Sequence, residues 1–408
     1  MPENITQKEY LMNFLTVSPH KNYILLPDMV WDGFSSKPAL GQAVHISGGL
    51  ITELAPVRKS TLEVTPLPGI TLMPGLVDCH VHFSMNSENL FQAIADWENN
   101  PAAINTKCRR YALAYLENGV LSVRDGGDKM NIGLKVRNNI KEGKYPGPAV
   151  TATGRAIYRK GCYGNFLGPG AASVEEALDQ IDEFTAEGID QLKVVVSGLV
   201  SFKDFGSVGS QQFTLAELSA IVDKAHSLGL KVMAHVSSAA AVETALNAGV
   251  DSIEHGYFLE TRQLKMMAQQ KTAWIPTLAP LGNLAEGGIV PYDGANLDVI
   301  RKSFEIQLDR VREACELGVT LGVGTDGGAN HVPHGTSYYD ELTYYSKAGL
   351  DNHAILSMAT RVSAQIIDSN NISGSILPGK KPFLIGVKGN PLRSLDILKA
   401  PVLAVMPA

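Results

Sequence analysis

The sequence predicts an α/β fold: a (β/α)8 TIM-like barrel with a small β-sandwich domain built from both chain ends. Three observations carry this. Across residues 74–368, short apolar runs alternate with amphipathic stretches that stop at glycine, the pattern of parallel strands joined by helices. Eight such runs fit the roughly 250 residues of a barrel. On either side, residues 1–73 and 369–408 hold short strand-like runs punctuated by turn signals such as Asp32-Gly33 and Gly48-Gly49.

Residues 1–20 read as a lead-in with a short helix over 10–15. Runs 23–26, 43–46 and 50–54 read as strands of the small domain. Ile70, Leu72, Leu76 and Val77 lead into the first barrel strand, which ends at His80 and His82. Runs 120–125, 149–153, 192–196, 231–235, 251–255, 272–276 and 320–326 supply the other seven. Helices are expected over 102–118, 173–187, 215–228, 239–247 and 297–317. Ser173 with Glu176 forms a capping-box pattern, and Gly119, Gly229, Gly249 and Gly318 act as stops. The tail runs 384–387 and 402–405 are expected to pair with the N-terminal strands. A doubly wound sheet is the alternative, but no glycine-rich phosphate fingerprint follows the first strand.

Composition is that of a globular chain, with 45% hydrophobic and 19% charged residues. A net charge of −6 gives no reason to expect nucleic acid or an anionic membrane as partner. Cys79, Cys108, Cys162 and Cys315 are scattered without a CxxC pair, which suggests neither a disulfide framework nor a thiolate zinc site. No secretory signal and no uncharged apolar run near the ~20 residues of a membrane span are found, so a soluble cytoplasmic protein is expected, and its partner is a small-molecule substrate if the site read below is catalytic. Homo-oligomerisation is left open.

The polar residues at the strand ends carry the chemistry. Side chains at i and i+2 of a strand share a face, so His80 and His82 can meet at one point. Strand four carries Lys193 in an apolar run, strand five ends in His235, strand six in His255 and strand eight in Asp326. The C-terminal strand ends form the active face of barrel enzymes. Four histidines and an aspartate there suit divalent metals of the zinc type. Lysine offers no lone pair as a cation, but carboxylation by CO2 would turn it into a bridging anion, and desolvation would favour the reactive amine. Taken singly, each of these residues has an ordinary structural explanation; their common placement is what argues for a site. Glu254 is expected to point away from His255, and His20, His45, His226, His331 and His353 lack such placement.

With these residues in view, the sequence resembles the amidohydrolase superfamily. The motifs are Pro74-Gly75-Leu76-Val77-Asp78-Cys79-His80-Val81-His82, Lys193, Ala234-His235, Ile253-Glu254-His255-Gly256 and Gly324-Thr325-Asp326-Gly327-Gly328. The stretch 191–277 is most similar to the imidazolonepropionase-like and Xaa-Pro dipeptidase-like branch. The resemblance implies two divalent metals, zinc in the first instance. His80, His82 and Asp326 would hold one, His235 and His255 the other, and Lys193 carboxylated on its amine by CO2 would bridge them. Asp326 would move the proton of an attacking metal-activated hydroxide to the leaving amine, and the ion on His255 would polarise the substrate carbonyl. The implied reaction is hydrolysis of an amide-type C–N bond in an N-acyl amino acid, a dipeptide or a cyclic amide. Alternatives are an Xaa-Pro or related dipeptidase or carboxypeptidase, a mononuclear deaminase that would not need Lys193, and a non-catalytic metal-storing scaffold. Dipeptide-cleaving members often carry Gly-Gly-His-Gly after strand three and a second histidine after the strand-five one. Here Arg159-Lys160-Gly161-Cys162-Tyr163-Gly164-Asn165 and Ser237 stand in those places. The substrate side therefore departs from that pattern, and Tyr163 and His334, with Tyr158 and Arg155, are candidate substrate contacts by loop position.

Overall fold

Strands that are covered on both faces read as unbroken apolar runs, and the central strands of this protein do so. In the computed structural model, which describes residues 12–58, 63–367 and 373–408, they are β1 (Leu76–Val81), β2 (Val120–Asp125), β3 (Ala149–Ala152), β4 (Leu192–Val195), β5 (Val232–Ser238), β6 (Ser252–Phe258) and β7 (Ala273–Ile275). Every residue of β1, β2, β4 and β7 is buried. All pairings are parallel. Helices lie between the strands, among them Pro101–Glu117, Val174–Ala186, Leu215–Ser227, Ala239–Asn247 and Leu297–Glu316. Their ends follow local chemistry. Ser173 Oγ accepts from Glu176 N, and Thr214 with Glu217 forms a reciprocal capping box.

The eighth strand expected over 320–326 is not a regular strand. Among the described residues the parallel ladder runs in two sheets, β1-β2-β3 and a short Ala156–Ile157 strand with β4-β5-β6-β7. Residues 320–327 lie between β7 and β1 on isolated bridges, Trp274 with Leu321 and Val81 with Gly327. Gly322 N donates to Trp274 O at 2.9 Å, and Cys79 N donates to Val323 O at 2.8 Å. Glycines interrupt regular strand geometry, and Gly324 admits no side chain, since its Cβ would stand 2.4 Å from Ile275.

The chain ends form an eight-stranded mixed sheet. Its order is Asn13–Val17, Leu403–Pro407, Leu384–Lys388, Val64–Pro74, Tyr23–Val30, Ala43–Ser47 and Leu50–Ala55, with Ala39–Leu40 beside Tyr23–Val30. Hydrogen bonding thus links strands from both chain ends in one continuous sheet. The long strand Val64–Pro74 causes this, because it pairs with Tyr23–Val30 and with Leu384–Lys388 together. The helix expected over 10–15 is replaced from Asn13 onward by a strand parallel to Leu403–Pro407; Tyr10 and Leu11 lie outside the described residues. Val17, Leu25, Val44, Ile51, Leu72, Leu384 and Val405 share the core of this sheet. Strand Val64–Pro74 passes through Gly75 straight into β1, so the small domain anchors the strand that ends in His80. A Cβ on Gly75 would meet the Leu121 side chain at 2.6 Å. No helix among the described residues is long and apolar enough to cross a membrane.

Candidate metal centre

The strand ends bring the expected side chains together. His80 Nε2 and His82 Nε2 lie 3.5 and 3.4 Å from Asp326 Oδ1. The ligand atoms of these three residues fall within 4.8 Å of one another. Lys193 Nζ lies 3.3 Å from His80 Nε2. The His255 ring centre is 5.0 Å from that of His80 and 4.6 Å from that of His235. The four histidines and Lys193 are buried, and Asp326 is partly exposed.

Each histidine is oriented from behind. His80 Nδ1 meets Glu254 Oε2 at 2.9 Å and His82 Nδ1 meets Gly127 O at 3.0 Å. An ionised carboxylate and a carbonyl only accept hydrogen bonds, so both Nδ1 atoms carry the proton and both Nε2 atoms present lone pairs. His255 Nδ1 lies 2.7 Å from Thr277 Oγ1, whose own proton goes to Pro276 O at 2.8 Å. The same tautomer follows. His235 is hydrogen-bonded to the Gly198 backbone, and its Nε2 is buried without a partner.

Burial also holds these rings neutral. It lowers His82 and His235 to about 3 and His80 and His255 well below the ordinary value, with the Lys193 cation adding to the effect on all four. Burial lowers Lys193 to about 8, partly opposed by Glu254 and Asp326. Asp326 is raised to about 6 by burial, with Lys193 pulling the other way. Neutral imidazoles are the form that binds a metal.

Three residues of this face adopt left-handed backbone: His255 (φ 68°), Thr277 (φ 48°) and Asp326 (φ 59°). Such conformations in non-glycine residues gather at functional sites. At His255 the turn breaks strand alternation. Glu254, expected to point away, faces inward together with His255 and bonds both His80 and Arg124. Sequence reasoning therefore missed Glu254, and also Arg124, whose charge in the apolar run 120–125 was the available signal.

The substrate-side candidates divide. The Tyr163 ring packs 5.4 Å from His235 and the Tyr257 ring 5.6 Å from His255, so two tyrosines wall this half of the site. His334 lies nearby but has both ring nitrogens engaged, one with Tyr115 Oη at 3.0 Å and one with Met85 O at 2.9 Å. Arg155 is bound to Glu183 and Glu187 away from the centre, and Tyr158 is buried.

Behind Thr277, the buried Glu341 carboxylate accepts from Leu278 N at 3.0 Å and Ala279 N at 2.7 Å. It thereby caps helix Leu278–Gly287, which continues directly from Thr277. Replacing Glu341 by Ala leaves two buried N–H groups unpaired, and an unfolding free energy lower by about 2–4 kcal/mol is expected in denaturant titration.

The residues fit a divalent metal on two counts. The buried, unpartnered His235 Nε2 lacks an acid or a metal to use it. Gly126 packs against the first pair, where a Cβ would stand 2.7 Å from His82 Cε1, 2.9 Å from His82 Nε2 and 3.2 Å from His80 Nε2, so only glycine leaves both rings their present places. Nitrogen and carboxylate donors are those that zinc-type ions prefer.

Fold and site define an α/β enzyme whose parallel strand ends gather residues that could hold a metal ion. The chain belongs to the amidohydrolase family, whose family model matches residues 71–406, and it is a hydrolase acting on C–N bonds. An ochratoxinase from Aspergillus niger is 24% identical over 372 residues, covering 84% of this chain and 75% of its own. A crystal structure of an Xaa-Pro dipeptidase with bound methionine superposes with a TM-score of 0.82 at 26% identity, over 95% of this chain and 98% of that one. The crystal structure of the A. niger ochratoxinase has a TM-score of 0.82 at 22% identity, over 93% of both chains, and shares the fold.

Proposed function

We propose that the protein is a binuclear metal-dependent amidohydrolase on a (β/α)8 barrel frame, cleaving an amide-type C–N bond in a small N-acyl amino acid, dipeptide or cyclic amide. The observation that carries this is the position of Lys193, a buried lysine 3.3 Å from His80 Nε2 inside a ring of neutral histidines. As a cation it would repel a metal. As Lys–NH–COO⁻, formed from the free amine and CO2 with release of a proton, it would supply two oxygens between two ions. His80, His82 and Asp326 would hold one ion, and His235 with His255 the other.

Divalent ions in such a setting acidify water and polarise a carbonyl oxygen. The chain's own part is positional and acid–base. Asp326 Oδ1, beside His80 and His82, accepts the proton of the attacking water and returns it to the amine as the C–N bond breaks. The water oxygen remains on the acyl carbon, which leaves as the carboxylate. Tyr163 and Tyr257 flank the His235–His255 side, where the acyl group would lie. The similarity to an Xaa-Pro dipeptidase and an ochratoxinase supports an amide substrate.

Elemental analysis of protein purified without chelator is expected to give about two equivalents of zinc or a similar ion per chain. Chelation is expected to abolish hydrolysis across a panel of N-acyl amino acids and dipeptides, and zinc with bicarbonate to restore it. Activity that survives complete metal removal would defeat the proposal.

A further inference from the structure

We infer that the buried Arg124–Glu254 pair is a positioning device that makes the His80–His82–Asp326 pocket the tighter of the two metal sites; this rests on the binuclear reading above. The four histidines are not backed alike. His82 and His235 lean on backbone and His255 on a threonine hydroxyl, all of them neutral groups. Only His80, among the four, is backed by a carboxylate, at 2.9 Å.

That carboxylate is fully satisfied. Glu254 Oε1 accepts from Arg124 Nη2 at 2.7 Å and from Ser252 Oγ at 2.6 Å, and Oε2 accepts from His80 Nδ1. Arg124 is held in turn. Its Nε donates to Cys79 O at 2.7 Å and its Nη1 to Ser252 Oγ at 3.1 Å and Gln191 Oε1 at 3.3 Å. One guanidinium therefore ties β1, β2 and β6, with Gln191 just before β4, beneath the site.

A carboxylate behind an imidazole fixes the ring and raises the basicity of the nitrogen facing the metal, and losing such a partner typically costs metal affinity 10–100-fold. Arg124 balances the charge, so Glu254 strengthens His80 without leaving a lone anion in the interior. Asp326, an anionic ligand of the same pocket, adds to the asymmetry. His235 and His255 have neither support.

The test is a zinc titration of metal-stripped full-length protein, with bicarbonate present, against a competing chromophoric chelator. Wild type is expected to fill in two steps. His235→Ala should keep the tighter step and lose the weaker. Glu254→Gln alone strands the buried Arg124 cation, so the neutral pair Glu254→Gln with Arg124→Met is used, and its metal-free melting temperature reports folding. This double variant should weaken the tighter step about 10–100-fold and leave the weaker step within about threefold. Loss of the tighter step in His235→Ala overturns the inference. So does an unchanged tighter step in the double variant, or an equal weakening of both steps. A wild-type protein that takes fewer than two equivalents defeats the binuclear reading, and the inference with it.

Discussion

Lys193→Ala is expected to lose metal and hydrolysis together, the largest effect of any single change. Lys193 is buried with its Nζ 3.3 Å from His80 Nε2, and in the proposed reading its carbamate would bridge the two ions. Removing a bridge worth about 4 kcal/mol of transition-state stabilisation would cost about a thousandfold in kcat/KM. Stability should move the other way, or little. The metal-free protein carries a desolvated amine, and alanine relieves that burial at the cost of a small cavity. Metal content, kcat/KM and the melting temperature of stripped protein separate the two roles. Full activity with fewer than two metals would sink the bridge, whereas a collapsed melting temperature with normal metal content would make Lys193 a packing residue.

The gathering of these side chains was legible because strand ends are legible. His80 and His82 obey the two-residue period of a strand, His235 and His255 each end an apolar run, and Lys193 is a lone charge inside one. Glu254 was not legible, because the alternation that places His80 and His82 fails at His255. A φ of 68° there turns successive side chains to the same side, and no composition rule announces it. Asp326 was read as the end of a strand and is a left-handed turn residue within a segment held by isolated bridges. The pairing of the tail with the N-terminal strands was legible from the short strand-like runs at both chain ends. What the runs did not disclose is that Val64–Pro74 is the strand that pairs with both Tyr23–Val30 and Leu384–Lys388. Local pattern fixes which side chains reach a strand end; backbone turns and long-range pairing decide what stands behind them.

Gly126→Ala is expected to empty the first pocket without unfolding the protein. Gly126 follows β2 and has no left-handed φ, so alanine meets no intrinsic backbone penalty there. Its neighbour Gly127 has a φ of 86°, and a methyl on it would stand 2.4 Å from Gly154 O, so it would be a poor choice for the same test. At Gly126 the methyl instead points at the donor atoms, 2.9 Å from His82 Nε2 and 3.2 Å from His80 Nε2. The methyl would press on the side of the His82 ring, 2.7 Å from Cε1, so the ring has to move, and with it the nitrogen that would hold an ion at about 2.0–2.1 Å. Because the buried His82 ring has to give way to the methyl, the stripped variant should melt below wild type while still unfolding cooperatively. Zinc affinity of the His80–His82–Asp326 pocket should fall at least about tenfold, which corresponds to 1.4 kcal/mol, and hydrolysis should fall with it. Equal zinc affinity in Gly126→Ala and wild type would mean that the ion does not sit in front of the two Nε2 atoms, and the ligand assignment of His80 and His82 would have to be abandoned.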